Sequence, residues 1–248
     1  MPTRSVSEKR EHAPSAPAVV ATDAVPDGPR LNVGSGPASA AAWISIDGSW
    51  QARLAGHRWL ARAASRVFGI EIGHWPQGIK YRNVRGGLGY DDESIAVVYA
   101  SHLIEHLYRE EALRFLRDVR RALVPGGVCR IVVPDVAAIV GWYLAHQREP
   151  AEQRKQSSSD LLMGLLLLRP DRPIGTGLVA LVRQWADLHD HKWMYDQEGL
   201  LALVEEAGFV DVSAREYLDS VIPRDILAQV ERADRICRGA GVCVEARK

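Results

Sequence analysis

RLNVGSGPASAAAWISID, residues 30–47, is the stretch that decides the fold. Leu31 and Val33 make a short apolar strand that runs into a glycine turn at Gly34 and Gly36. Trp43, Ile44 and Ile46 make a second strand, which ends in the acid Asp47. Glycines at the end of a first strand let a backbone approach a ligand that a Cβ would repel, and free N–H groups there can hold an anion. A carboxylate at the tip of the next strand is placed to accept the hydroxyls of a ribose. The pair predicts half of a nucleoside-cofactor site in an α/β sheet.

The rest of the chain extends that pattern. Residues 51–68 read as a helix, with Leu54, Leu60, Ala63 and Val67 near 3.6-residue spacing. Residues 79–84 read as a strand, and IAVVYA (95–100) is a continuous apolar run suited to a parallel strand covered on both faces. Residues 108–123 form an amphipathic helix with Leu113, Leu116, Val119 and Leu123 on one side. Pro125-Gly126-Gly127 is expected to stop it before the strand VCRIVV (128–133). Such short alternation predicts a doubly wound, mostly parallel sheet.

The third quarter breaks the alternation. A polar, serine-rich stretch precedes two apolar blocks, 161–168 and 178–185, separated by RPDRPIGTG. Residues 141–192 are therefore expected to be a helical insert over the carboxyl edge of the sheet, where such proteins bind ligands. Asp196 is a suitable N-cap for a helix over 197–207, with Gly208 as its left-handed terminator. Residues 209–212 and 242–246 would be the last strands.

Composition narrows the class. With 248 residues, 31 basic and 31 acidic, the formal net charge is zero. No net field draws the chain to nucleic acid or an anionic membrane. Residues 1–29, rich in Pro, Ala and Ser, are expected to be a disordered tail, leaving 30–248 as one domain. No apolar run reaches the ~18 residues needed to cross a bilayer, so stable membrane insertion is not expected. Cys129, Cys237 and Cys243 lack metal or disulfide spacing and are read as reduced small hydrophobes, with a cytoplasmic location.

Four segments in order carry a resemblance. The Gly34-Ser35-Gly36-Pro37 turn followed by Asp47, DDESIAVVYASHLIEHL (91–107), RALVPGGVCRIVVPD (121–135) and EEAGFVDV (205–212) resemble the class I S-adenosylmethionine-dependent methyltransferases of the "type 11" group. The stretches IDGSWQARLA (46–55) and HKWMYDQEGLLALVEEAGF (191–209) resemble members associated with surface-glycan genes. The resemblance implies a Rossmann-like methyltransferase fold, S-adenosyl-L-methionine as cofactor, and a small-molecule or glycan-type acceptor methylated on oxygen, less readily on nitrogen. It implies that Gly34, Ser35 and Gly36 lie under the methionine and ribose of the cofactor and that Asp47 binds the ribose. It also implies Asn83 near the adenine and Ala100, Ser101 and His102 beside the sulfonium. His102 is the expected general base, with His189 and His191 as alternatives, and Glu105 and His106 are expected to anchor the next helix. Asn32 and Ala96 stand where relatives carry acids, which leaves a catalytically silent binding protein as the alternative function.

Two other classes compete with this reading. His102-Leu103-Ile104-Glu105-His106 matches H-x-x-E-H, a zinc hydrolase signature. His102 follows its strand too closely to lie one turn into a helix, so no residue is assigned to a metal. A nicotinamide dehydrogenase needs a third glycine where Ser39 stands, and an acid about 20 residues on, later than Asp47. The oligomeric state is not readable from the sequence.

Overall fold

The computed structural model describes residues 24–55, 75, 76, 78–167, 190–237 and 241–248. Seven strands form one sheet: β1 (Arg30–Val33), β2 (Ile44–Asp47), β3 (Lys80–Tyr81), β4 (Ile95–Ser101), β5 (Leu123–Pro134), β6 (Val210–Ala214) and β7 (Gly241–Arg247). Their spatial order is β3-β2-β1-β4-β5-β7-β6. β1 to β5 run parallel, and β7 is antiparallel to both β5 and β6. The expected doubly wound, mostly parallel sheet is therefore present. Its order reverses between β1 and β4, which puts a crevice at their carboxyl ends.

One face is closed by helices. β4 is buried at all seven positions, as its apolar run requires. α2 (Arg109–Ala122) buries Ala112, Leu113, Phe115, Leu116, Val119 and Ala122, a stripe at helical spacing. Its first turn is closed by the Tyr108 N–H donating to the Glu111 carboxylate at 3.0 Å. α2 ends at Ala122, and β5 begins at once, so Pro125-Gly126-Gly127 lies inside the strand rather than before it. The register against β4 shifts there, between Ile95 and Val97. α5 (Gln197–Glu206) is capped by Asp196, which accepts from the Gly199 N–H at 2.8 Å, and Gly208 takes φ +93° as expected.

The opposite face is closed differently. The ten residues joining β1 to β2 contain no helix. The segment between β6 and β7 fills that place: Ile222, Leu227 and Ile236 bury against Trp43, Val97, Tyr99 and Val132. It includes the short α6 (Arg224–Leu227). Trp43 Nε1 donates to the Ile226 carbonyl at 2.9 Å, and its ring meets Tyr99 edge-on at 6.1 Å.

A buried charge cluster pins this segment down. Arg130 on β5 is fully buried. Its Nε and Nη2 grip both Glu231 oxygens at 2.7 and 3.1 Å, and Nη1 reaches Glu245 on β7 at 3.1 Å. The carbonyls of Asp219 and Glu216 take its remaining donors, each at 2.8 Å. With all five N–H groups used, the guanidinium carries no unpaired donor into the core.

β5 leaves the sheet at Asp135, which caps α3 (Val136–Arg148) by accepting from the Ala137 N–H at 2.9 Å. α3 packs against α4 (Ser158–Leu166), with His146 Nδ1 3.0 Å from Ser158 Oγ. α3 thus starts directly on the strand exit. The apolar block expected at 178–185 and most of the helix expected at 51–68 lie outside the described residues; within the latter, α1 (Trp50–Ala55) is present. No described helix is long and apolar enough to cross a membrane.

Candidate active site

The glycine turn sits at the carboxyl end of β1, with φ +70° at Gly34 and +57° at Gly36. The two glycines answer different needs. A Cβ on Gly34 would lie 3.1 Å from Leu103 Cδ1, so the turn is pressed against the loop leaving β4. A Cβ on Gly36 would meet nothing within 4 Å, and so would project into open space. The turn's N–H groups are not free, contrary to the sequence expectation. Those of Gly34 and Ser35 donate to the Ile46 carbonyl at 2.9 and 3.2 Å. The Gly36 N–H donates to Asp47 at 2.8 Å. Parallel pairing of β1 with β2 carries on past Val33 and takes the first two donors, and the Asp47 side chain takes the third, so the turn is not an anion nest.

Asp47 ends β2 and is nearly buried. Its second carboxylate oxygen accepts from the Ser49 N–H at 2.8 Å. The helix after it is capped by Ser49, whose hydroxyl accepts from the Ala52 N–H at 3.2 Å, so Asp47 is not the cap. Each Asp47 oxygen retains a lone pair for another donor.

β3 pairs over two residues only, shorter than the expected strand 79–84. Asn83 follows it, exposed, with Oδ1 accepting from the Arg85 N–H at 3.1 Å and capping a tight turn. It stays close to the Asp47 strand end, because a Cβ on Gly48 would lie 3.3 Å from Asn83 Cα. Ala100 and Ser101 are buried at the end of β4, and Ser101 Oγ accepts from Arg235 at 3.2 Å. Ala96 lies at the other end of that strand, packed 3.2 Å from where a Gly28 Cβ would be. An acid there would sit roughly 17 Å from the strand's carboxyl end at 3.3 Å per residue, so its replacement does not alter the crevice.

His102 leaves β4 with φ +54°, a left-handed conformation rare for a residue with a Cβ. Its Nδ1 lies 3.4 Å from Glu105 Oε1. Its Nε2 is buried without a partner. Burial first, then the Arg235 charge and the neighbouring histidines, lowers its pKa to about 4, well below the near-neutral value expected of a general base. Glu105 is fully buried with neither oxygen hydrogen-bonded, and burial raises its pKa to about 8. Glu105 and His106 lie in a tight turn (Ile104–His106) just ahead of α2. That turn brings in His191: its ring centroid is 5.0 Å from that of His106. His189 lies outside the described residues.

Strand order, glycine turn and ribose-type acid together define a nucleoside-cofactor-binding α/β protein. The family model described as "Methyltransferase domain" matches residues 31–131, from β1 into β5. Residues 31–131 thus match a methyltransferase domain, which is consistent with a class I S-adenosylmethionine-dependent methyltransferase and implies S-adenosyl-L-methionine as cofactor. No curated protein matches the chain. Among solved structures, a methyltransferase from Thermotoga maritima, described as a possible histamine N-methyltransferase, is 14% identical, with TM-score 0.42, over 90% of this chain and 83% of that one. A Mesorhizobium loti S-adenosylmethionine-dependent methyltransferase is 18% identical, with TM-score 0.43, over 90% and 92%. PigF in complex with S-adenosylhomocysteine is 13% identical, with TM-score 0.44, over 88% of this chain and 50% of that one.

The residues present fit the cofactor. Gly36 opens onto space a side chain would fill, and Asp47 faces the same turn with lone pairs to spare. Sequence reasoning missed Arg235, which reaches Ser101 from a distant loop. No local spacing announces such a contact.

Proposed function

We propose that the protein methylates an oxygen, less readily a nitrogen, of a small-molecule or glycan-type acceptor, with His102 taking the acceptor proton. The observation that carries this reading is the meeting of Asp47, the glycine turn and the strained His102 loop along one strand edge. Backbone strain in a side chain that packing does not require is a mark of function.

The bound cofactor supplies an electrophilic methyl group on a sulfonium. Asp47 accepts the ribose hydroxyls, while Gly34, Ser35 and Gly36 leave room for the chain beyond the ribose. Asn83 stands at the adenine end, and Ala100 and Ser101 form the floor beside the reacting atoms. With the cofactor supplying the methyl group, His102 Nε2 would take the proton of the acceptor hydroxyl. A base of low pKa suffices there, because the hydroxyl becomes strongly acidic only as the new bond forms. Glu105, at Nδ1, steadies the ring. Alignment of the nucleophile, worth about 7–11 kcal/mol in well-oriented systems, is the main task left to the protein. A cytoplasmic setting belongs to the same proposal, supported by three unpaired cysteines.

Methyl-labelled cofactor with paired hydroxyl and amine forms of each acceptor tests this reading. Label on oxygen, lost in His102→Ala while S-adenosylhomocysteine still binds, is the expected result. Label confined to nitrogen, or none with any acceptor despite cofactor binding, overturns it.

A further inference from the structure

We propose that Glu105, His106 and His191 bind one divalent first-row transition-metal ion of the zinc type. Their ligand atoms all lie within 4.8 Å of one another, on two segments 85 residues apart. Glu105 and His191 are buried and His106 is partly so.

The carboxylate is the most telling group. Both Glu105 oxygens are buried without a hydrogen bond to another side chain, and His102 Nδ1, 3.4 Å from Oε1, is the nearest ionisable group. A side chain this polar is costly to bury with so little compensation, and a cation is the partner that offsets that cost most completely. Both imidazoles are anchored to backbone, as metal ligands commonly are. His106 Nδ1 lies 3.3 Å from the Asp190 carbonyl. The His191 ring bonds to the Leu166 backbone, while its Nδ1 is buried without a partner.

Two imidazoles and a carboxylate suit zinc, cobalt or iron rather than magnesium or calcium. Metal–ligand bonds of about 2.0–2.2 Å place ligand atoms roughly 3.4 Å apart, so the three groups close on an ion by small side-chain rotations. His102 lies against Glu105 as an outer partner of the carboxylate. The ion would clasp the end of the insert to the turn after β4, where the N–H groups of Lys192 and Trp193 already donate to the Glu105 carbonyl at 2.7 and 3.2 Å. Three protein ligands leave a coordination position for water or an acceptor oxygen. That last role rests on the methyl-transfer reading; binding of the ion does not.

The test uses the full chain, freed of metal by chelation, with Zn2+ and Co2+ as probes and no cofactor present. One equivalent of Zn2+ should bind and raise the melting temperature. Co2+ should give the intense visible bands of a four- or five-coordinate nitrogen–oxygen site. Glu105→Gln and His191→Ala should each weaken Zn2+ binding at least ~10-fold. Uptake of no Zn2+ by the wild type, a water-like octahedral Co2+ spectrum, or variants within two-fold of wild-type affinity would each overturn the proposal. The Co2+ spectrum needs no variant, so it decides even if a substitution prevents folding. S-adenosylhomocysteine binding, measured separately, reports on the methyl-transfer reading alone.

Discussion

The Asp47 carboxylate accepts the Gly36 N–H at 2.8 Å, so the acid that ends β2 holds shut the turn that ends β1. One side chain thereby serves the fold and, in the proposed reading, the cofactor as well. Its other oxygen, on the Ser49 N–H, fixes the carboxylate plane. In the proposed reading, a ribose at the turn would meet an acceptor already oriented by folding.

Asp47→Ala should therefore lose on two counts. Removing charge-assisted bonds worth about 1.5–3 kcal/mol should weaken S-adenosylhomocysteine binding ~10–100-fold. Melting temperature should also fall, because two N–H groups lose their acceptor. Calorimetry showing unchanged affinity in the folded variant would move the ribose elsewhere.

Gly36→Ala separates strain from collision. At φ +57° the Cβ costs about 1–2 kcal/mol of stability even though no protein atom lies in its way. The added methyl should also intrude on the cofactor and reduce affinity beyond what that strain explains. Wild-type S-adenosylhomocysteine affinity would mean the open space at Gly36 is not the cofactor's.

His102→Gly should trade activity for stability. Glycine takes φ +54° freely, and the buried unpartnered nitrogen disappears, so chemical denaturation should show a gain of about 1 kcal/mol. Turnover of a hydroxyl acceptor should drop ~10²-fold or more. A variant both less stable and equally active would leave the loop conformation without its functional explanation.

Arg130→Met should be among the most damaging single changes outside the crevice. It leaves Glu231 and Glu245 buried without their shared counter-ion, a loss of about 3–5 kcal/mol. Proteolysis should then begin in residues 215–237, which that cluster anchors to the sheet. A melting temperature within a degree or two of wild type would show that the apolar contacts of Ile222, Leu227 and Ile236 suffice.

The three cysteines should differ in reactivity. Cys237 is exposed, whereas burial raises the Cys129 thiol well above its ordinary range and pushes Cys243 up to about 12. A native-state thiol titration at pH 8 should label one cysteine quickly and the other two only on unfolding. Rapid labelling of all three would contradict the burial of β5 and β7.

What lies within one strand–turn–strand or one helix is readable from neighbouring residues alone. The β1 turn, the acid ending β2, the buried run of β4 and the α2 stripe were legible because glycine conformation and hydrophobic period act over neighbouring residues. The tertiary structure alone decided the rest. The N–H groups of Gly34 and Ser35 are taken by the Ile46 carbonyl of the neighbouring strand, and that of Gly36 by the Asp47 side chain. The missing crossover helix was replaced by a segment nearly two hundred residues later, held by Arg130 through Glu231 at a separation of 101 residues. Two apparent helix-anchoring residues, Glu105 and His106, were given a third partner by a fold that returns His191 to the same turn. Hydrogen bonds, charge pairing and metal coordination depend on distance in space. Where the chain brings distant residues together, no local pattern records it.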